Sequence, residues 1–205
     1  MAYRQTQKMV ARKEARRARL LESATQLFGQ LGYHATTVPM IVVAANTSIG
    51  SFYSYFRNKE DVFAACLEVL GDRVGSVVEE SRSKHRDPIA QIRFAVEDLF
   101  LFLAGHPKEA RLLIVESSGL GPRLEQIRRK ILNRHAEGVR ETLDQSRGHV
   151  PGFATAVASH CLVGAVLESL YHWFDTPPRR RGPATTVARS VAEFAIRGLG
   201  ATPAR

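Results

Sequence analysis

Cysteine is scarce in this chain, and long apolar runs are missing from it. The two cysteines, Cys66 and Cys161, lie far apart and outside any CxxC or Cys/His cluster. Neither a disulfide framework nor a cysteine-based zinc site is expected, and a reducing compartment is favoured. Apolar runs stay short of the about 18 residues that a membrane span needs, and the basic N-terminus lacks the apolar segment of a signal peptide. We therefore expect a cytoplasmic protein without a bound metal.

Acidic residues are few in the first part of the chain. Residues 1–60 hold nine Lys and Arg against three Asp and Glu, whereas residues 61–205 hold twenty against seventeen. The whole chain of 205 residues carries a formal net charge of +9. An excess of positive charge favours a polyanionic partner, and its location indicates where that partner binds. The first sixty residues are therefore predicted to form the surface that binds nucleic acid.

Alternating strand patterns are also missing, and the periodicity is helical almost throughout. Apolar residues spaced three and four apart from Leu20 onward predict a first helix that ends near residues 29–32. Pro88, Pro107 and Pro122 each begin a new periodic stretch, as expected for proline in the first turn of a helix. The later helices are predicted at 38–45, 48–55, 58–83, 88–104, 107–117, 122–146, 151–175 and 184–199.

These elements predict an all-α protein of about nine helices. Residues 1–60 should form a three-helix DNA-binding domain with a basic N-terminal arm. Residues 61–205 should form a C-terminal helical bundle.

Residues 37–60 have the organisation of a helix-turn-helix. A short apolar helix with Thr37 as its N-cap is followed by a turn at Asn46, a residue that tolerates the left-handed conformation. The next helix is small and rich in hydroxyl groups, so it could enter the DNA major groove. Phe52 and Phe56, four residues apart, are expected to point inward and hold this helix against its neighbours.

Five short motifs in this region resemble one known family. They are Gln26-Leu27-Phe28, Gly32-Tyr33, Thr36-Thr37-Val38, the run Ile49–Phe56 and Asn58-Lys59-Glu60. At this spacing they are similar to the N-terminal domain of the TetR family of bacterial transcriptional regulators. The resemblance implies a homodimer that binds a palindromic operator, usually as a repressor. It also implies release of the operator when a small molecule enters the C-terminal domain.

The resemblance further implies which residues contact DNA. By position, these sites fall on Thr37, Ser48, Ile49, Gly50, Ser51, Tyr53, Ser54, Tyr55 and Lys59. Hydroxyl groups can bond base edges or phosphates, and Gly50 permits close approach of the backbone. Ile49, where a basic residue is frequent in the family, could touch a thymine methyl group. Lys59 opens the fourth helix, where its ammonium and free backbone N–H groups would meet a phosphate.

The run from Arg4 to Arg19 holds seven cations against one Glu. It is either a solvated face of the first helix or a basic arm that follows phosphates or the minor groove. On the second interpretation, Arg12 and Arg16 are further candidates for DNA contact.

Several polar or aromatic side chains interrupt the apolar stretches after residue 88. Small-molecule sites combine apolar walls with a few orienting polar groups. The candidate ligand-binding residues are Phe94, Asp98, Phe102, Glu116, His135, His160 and Glu168. Each of them could instead be a satisfied core group or a solvent-facing residue. The aliphatic and aromatic surroundings predict a largely hydrophobic effector, and no cofactor is expected.

The last two predicted helices are apolar on two faces. Such helices suit one face to the interior of their own chain and the other to a partner subunit. We expect a four-helix dimer interface, which the resemblance also implies. Its candidate residues are Val166, Leu170, Trp173, Val187, Val191 and Phe194.

The sequence therefore predicts a ligand-responsive, DNA-binding transcriptional regulator, most simply a repressor. The alternative is an architectural, nucleoid-associated protein that binds DNA and answers to no ligand. An enzyme is not predicted. Asp98, Glu116 and His135 could be combined with a serine at 117–118 into acid, base and nucleophile, but no nucleophile-elbow, metal-ligand or Walker spacing supports them.

Overall fold

The computed structural model describes residues 2–146 and 154–199, with side chains from residue 7 onward. Within these ranges helices are the only regular elements, which confirms the all-α prediction. None of the described helices is both long and apolar enough to cross a membrane. The predicted start of the eighth helix, at residue 151, lies outside the described residues. The helices are α1 (Ala2–Leu31), α2 (Val38–Ala44), α3 (Ile49–Tyr53), α4 (Lys59–Ser83), α5 (Pro88–Gly105), α6 (Pro107–Arg111), α7 (Pro122–Gln145), α8 (Thr155–Asp175) and α9 (Ala184–Gly198).

Helix α1 extends well beyond its apolar stripe. Leu20 is buried, whereas the side chains of residues 7–19 are all exposed. This exposed segment is rich in Ala, Arg and Lys, which are strong helix formers, so it continues the helix that begins in the core. The basic run of the sequence is thus an outward continuation of α1.

Polar caps fix the starts of α2, α3 and α4. The side-chain oxygens of Thr37, Ser48 and Asn58 accept hydrogen bonds from backbone N–H groups three residues further on, at 3.5, 3.2 and 2.8 Å. Between α2 and α3, Asn46 has a φ of 48°, in the left-handed region. The predicted N-cap at Thr37 and the predicted turn at Asn46 are both confirmed.

The first helices pack around an aromatic cluster, here called the N-terminal core. Phe28, Phe52 and Phe63 are fully buried in it. The ring of Phe63 meets the rings of Phe28 and Tyr33 edge to face, with centroids 4.9 and 5.0 Å apart. Edge-to-face contacts add directional stabilisation to the burial of apolar area. The N-terminal core therefore holds α1, α2, α3 and the first half of α4 in one arrangement.

A second cluster, the C-terminal core, lies between α4, α5, α8 and α9. Phe100 of α5 is fully buried there and meets the ring of Trp173 of α8 at 5.6 Å. The Trp173 indole N–H donates a hydrogen bond to the carbonyl of Gly182, 3.1 Å away, and the Arg181 guanidinium lies over the indole ring. These contacts fix the connection between α8 and α9.

Close helix packing joins the two cores. Helix α4 contributes Val62 to the N-terminal core and Val74 to the C-terminal core. Gly29 lets the backbones of α1 and α6 approach closely, because a Cβ at this position would overlap the carbonyl oxygen of Lys108.

The segment after α6 differs from the prediction. The sequence indicated one helix over 107–117, but α6 ends at Arg111 and is followed by a π-helical turn, Leu112–Glu116. Leu112 packs in the N-terminal core, whereas Ile114 packs in the C-terminal core. The π-helical turn is wider than an α-helical one, and such turns are frequent at functional sites. Here it places nearby side chains in different cores.

Candidate nucleic-acid interface and ligand cavity

Helix α3 has one buried face and one exposed face. Phe52 and Phe56 are buried in the N-terminal core, as predicted. On the opposite side, Ile49 and Tyr53 are 51% and 56% exposed. A Cβ added to Gly50 would meet no atom within 4 Å. The exposed face is therefore open to a partner and offers an aliphatic group, a phenol and a bare backbone.

The hydroxyl groups around α3 differ in their exposure and in the hydrogen bonds that they already make. Ser48 and Ser54 are exposed, but both also bond to the helix backbone, Ser48 as the N-cap and Ser54 to the Ser51 carbonyl at 2.6 Å. Ser51 is half-buried. The phenol of Tyr55 turns away from the open face and donates a hydrogen bond to the Lys13 carbonyl of α1, 3.1 Å away. Tyr53 is thus the more accessible of the two tyrosines.

Lys59 makes contacts that its place in the sequence did not indicate. Its ammonium donates hydrogen bonds to the carbonyls of Tyr33 and His34, at 2.7 and 3.3 Å. It also lies 4.3 Å from the centre of the Tyr33 ring. Burial lowers the pKa of Lys59. In this structure the ammonium holds the loop between α1 and α2 against the start of α4.

The exposed part of α1 lies beside α3. The Lys13 carbonyl accepts the hydrogen bond of Tyr55, and the guanidinium of Arg17 lies 5.6 Å from the centre of the Phe56 ring. Arg12 and Arg16 are exposed on the same helix. The basic segment of α1 predicted from the sequence therefore packs beside α3. Positive charge placed in this way favours contact with phosphates.

The start of α4 is also tied to α7 by ion pairs. The Asp61 carboxylate forms ion pairs with Arg57 at 2.7 Å and with Arg123 of α7 at 2.6 Å. Hydrogen bonds from Arg57, and then from Arg123, hold the pKa of the Asp61 carboxyl well below its usual range. The charge of Arg57 is therefore balanced within the chain.

A cavity of about 510 Å³ lies between α4, α5, α7 and α8. Its walls on α5 and α8 are apolar and largely buried, with Ile92, Val96, Leu162 and Val166 among them. The volume is within the range of about 300–1,000 Å³ that is usual for small-molecule sites. A ligand of mainly apolar character would therefore fit this cavity.

The remaining wall, here called the polar wall, carries the charged lining residues among apolar ones such as Val74 and Ile131. Its exposed members, such as Asp72, Glu79 and Arg134, lie on α4 and α7. Arg82 and Arg128 join the same wall. Since the lining of α5 and α8 is buried, the cavity opens to solvent between α4 and α7.

Of the seven residues predicted to bind ligand, His135 lines the cavity. Helix α5 turns Ile92, Val96, Leu99 and Leu103 toward it, so Phe94, Asp98 and Phe102 lie on other faces of the helix. The other three predicted residues are also absent from the cavity wall. His160 and Glu168 are exposed on α8, and Glu116 accepts a hydrogen bond from the Tyr33 backbone N–H.

The residues predicted for the dimer interface are also divided. Val166, Leu170, Trp173, Val187 and Val191 all pack in the C-terminal core, and the first two also line the cavity. Phe194 is 68% exposed on α9. The exposed apolar residues Val157 and Tyr171 of α8 were not among the predictions. Apolar spacing predicted the extent of the two helices but not the rotation of each helix about its axis.

Two buried nitrogen atoms belong to residues of the cavity wall, one to His135, which was predicted to bind ligand, and one to Arg82, which was not. Arg82 Nε and His135 Nε2 are inaccessible to solvent and have no hydrogen-bond partner among the described residues. Burial, followed by the charge of Arg134, lowers the pKa of His135 to about 4. His135 is therefore neutral at pH 7. Nothing in the sequence distinguished Arg82 from the other cations of α4.

An exposed helix beside a basic surface, joined to a second core with a cavity, defines a helix-turn-helix DNA-binding protein with a ligand-binding bundle. Residues 20–66 match the family model for bacterial regulatory proteins of the tetR family. The match confirms that this segment is a TetR-family N-terminal domain, as the sequence motifs predicted.

Comparison with whole proteins extends the likeness beyond this segment. The chain is 23% identical to the fatty acid metabolism regulator protein of Bacillus subtilis (strain 168), over 88% of this chain and 93% of that protein. A transcriptional regulator FadR from Bacillus subtilis, solved in complex with stearoyl-CoA, matches with a TM-score of 0.79 and 22% identity, over 88% of this chain and 98% of that one. AibR in complex with isovaleryl coenzyme A and operator DNA matches with a TM-score of 0.72 and 20% identity, over 87% and 97%. At these identities the structural likeness shows a common fold.

Proposed function

We propose that this protein is a dimeric transcriptional repressor that binds a palindromic operator and releases it when a fatty acyl compound enters the cavity. One observation carries the proposal: the same fold holds an open α3 face and an apolar cavity. Helix α4 and the π-helical turn connect the two. The protein would act in the cytoplasm, by binding and not by catalysis.

Operator binding is assigned to α3 and the exposed part of α1. Tyr53, Ile49 and Gly50 would meet base edges or the sugar–phosphate backbone, with Ser48 and Ser54 beside them. Ser51 is not assigned a contact, because its hydroxyl oxygen is closed to solvent. Thr37, Tyr55 and Lys59 would support the interface through the contacts they make around α3. Arg12 and Arg16 would lie along phosphates that flank the site.

Dimerisation is assigned to the outer faces of α8 and α9. Val157 and Phe194 are each more than 60% exposed, and Tyr171 is 42% exposed. Exposed apolar side chains on adjacent helices favour burial against a second copy of the chain. A dimer with its two α3 helices about 34–36 Å apart would match successive major grooves and hence a palindrome.

The effector class is suggested by the cavity and by the relatives. Its apolar interior suits an acyl chain, and two proteins of the same fold have been solved with acyl-CoA compounds. To release the operator, the effector must bind the DNA-free conformation more tightly than the DNA-bound one.

The π-helical turn would carry the response between the cores. Leu113, Ile114 and Ser117 line the cavity. Between them, Glu116 accepts a hydrogen bond from the Tyr33 backbone N–H at 3.0 Å, and the Tyr33 carbonyl is held by Lys59. A ligand that displaces this turn would therefore move the loop from which the helix-turn-helix begins.

Selection of bound sequences from a random duplex pool at physiological salt tests the proposal. We expect one palindrome to be enriched, and addition of palmitoyl-CoA to release it. Tyr53→Ala should weaken operator binding by about 1–3 kcal/mol, because it removes a side chain that meets the DNA, while Tyr53→Phe reports the share of the hydroxyl.

Size-exclusion chromatography should show the same dimer for both variants. Binding without enrichment would instead support an architectural DNA-binding protein. If Tyr53→Ala bound the selected palindrome like the unaltered protein, the assignment of α3 would be wrong.

A further inference from the structure

The polar wall of the cavity contains two side chains whose buried nitrogen atoms need partners. Arg82 Nε on α4 and His135 Nε2 on α7 are both closed to solvent, and no described residue bonds to either. A buried polar group without a hydrogen bond costs free energy, so each such group calls for an explanation. Both residues line one cavity, and a rotation of each side chain would bring its nitrogen to a ligand there, so a single ligand group could satisfy both.

Arg82 and His135 lie close together across the seam of α4 and α7. The Arg82 Nη1 atom approaches α7 at Gly138, where an added Cβ would lie only 3.0 Å from it. Gly138 is three residues after His135, and residues three apart share one face of a helix. The guanidinium of Arg82 therefore reaches the turn of α7 that carries the imidazole.

The chemistry of the two groups defines what they can bind. Guanidinium nitrogens only donate, so the partner of Arg82 Nε must be an acceptor such as an oxygen. Burial keeps His135 neutral by lowering its pKa, and neutral imidazole can donate a hydrogen bond to the same acceptor group. Arg82 also pairs with Glu79 at 3.2 Å, but that bond uses Nη1 and leaves Nε unused.

We infer that Arg82 and His135 form an anchor for the head-group oxygen of an acyl ligand, whose chain extends into the apolar space between α5 and α8. This inference rests on the proposed function and identifies the residues that orient the effector. The direction of the ligand follows from the walls, because all charged lining residues lie on α4 and α7, whereas the lining of α5 and α8 is entirely apolar.

Two kinds of compound carry an acyl chain with a head-group oxygen: a free fatty acid and an acyl thioester of coenzyme A. Titration calorimetry of the full-length protein with palmitic acid and, separately, with palmitoyl-CoA distinguishes them by which compound binds more tightly. Arg82→Met and His135→Leu are then tested with the tighter compound. Arg134→Met is the matched control, because Arg134 lies on the same wall but is half exposed and paired with Asp72 at 2.7 Å.

We expect Arg82→Met to weaken binding by about tenfold to a hundredfold, as for removal of a charged hydrogen bond, and His135→Leu by about tenfold. Arg134→Met should change binding by less than about threefold, as expected for an exposed pair. Operator binding without ligand should be unchanged in all three variants, which shows that they fold.

Unaltered binding in both Arg82→Met and His135→Leu would overturn the anchor, while the effector class would stand. If neither compound bound the unaltered protein, the acyl effector and its anchor would both fail. The operator selection would then still report separately on DNA binding.

Discussion

The N-terminal and C-terminal cores use similar apolar residues but pack them differently. The N-terminal core closes around fully buried phenylalanines in edge-to-face contact. The C-terminal core supplies most of the apolar wall of a cavity of about 510 Å³. A closely packed core has one preferred arrangement, whereas side chains that line a cavity lack neighbours on one side. The first kind of packing suits a rigid surface that reads DNA, and the second suits a region that responds to a ligand.

The largest expected effect compares the same substitution in the two cores. Ile41 of α2 and Ile92 of α5 are both buried, but only Ile92 lines the cavity. We expect Ile41→Ala to lower the free energy of unfolding by about 4 kcal/mol and Ile92→Ala by about 2 kcal/mol, because the second side chain is less completely surrounded by other atoms. Urea unfolding of the ligand-free protein measures both. Equal effects would mean that the two cores are packed alike.

The second prediction concerns the pH dependence of stability. Because the pKa of His135 is about 4 in the folded protein against an ordinary histidine value of 6.5, the unfolded chain binds a proton more readily as pH falls below 6.5. Stability should therefore fall between pH 6.5 and pH 4. Between pH 7 and pH 5, the titration of His135 should lower the free energy of unfolding by about 2 kcal/mol.

Comparison of His135→Gln with the unaltered protein at both pH values isolates this effect from that of the other histidines. On acidification from pH 7 to pH 5, the free energy of unfolding of the variant should fall by about 2 kcal/mol less than that of the unaltered protein. The same decrease in both proteins would show that the imidazole is not desolvated as the structure indicates.

The third prediction tests the connection between the cores. Glu116→Ala removes the hydrogen bond to the Tyr33 backbone N–H. We expect the effector to release the operator less effectively, with a coupling free energy reduced by about 1 kcal/mol. Operator affinity measured with and without palmitoyl-CoA gives this quantity.

Arg111→Ala is the control for Glu116→Ala, because it removes only the exposed ion-pair partner of Glu116, 3.3 Å away. It should leave the coupling unchanged. A normal response in Glu116→Ala would show that the hydrogen bond between Glu116 and Tyr33 does not carry the coupling.

The smallest effect is expected from the outward part of α1. Replacing both Arg12 and Arg16 with Gln should lower the slope of log affinity against log salt by about two, because each arginine is expected to neutralise one phosphate. Arg179 and Arg180, exposed in the loop before α9, provide a control pair of equal charge. A slope unchanged by the first pair would show that this part of α1 is a solvated helix face.

Much of the helix-turn-helix could be predicted because its signals are local. Thr37 caps α2, Asn46 makes the turn, and Phe52 with Phe56 faces inward, each in agreement with the sequence interpretation. The contact of Lys59 with the Tyr33 carbonyl was not predicted, because it joins two elements that are separate in the sequence. The assignment of DNA contacts to particular residues of this segment remains a prediction.

The cavity was harder to predict from apolar spacing. Phe94, Asp98 and Phe102 share helix α5 with the cavity-lining Ile92 and Val96 but lie on other faces of it. Two positions along an α-helix turn a side chain by more than half of a full rotation. Core walls and cavity walls also contain the same residue types, so composition does not separate them.

The sequence by itself determined the all-α class, most helix boundaries and the TetR-like helix-turn-helix. These features depend on periodicity, proline position and capping residues, all of which act over a few neighbouring residues. Tertiary structure decided how each helix is rotated, where the π-helical turn divides the two cores, and that Arg82 meets the turn of α7 that carries His135. Those features depend on packing between distant segments, which local signals do not specify.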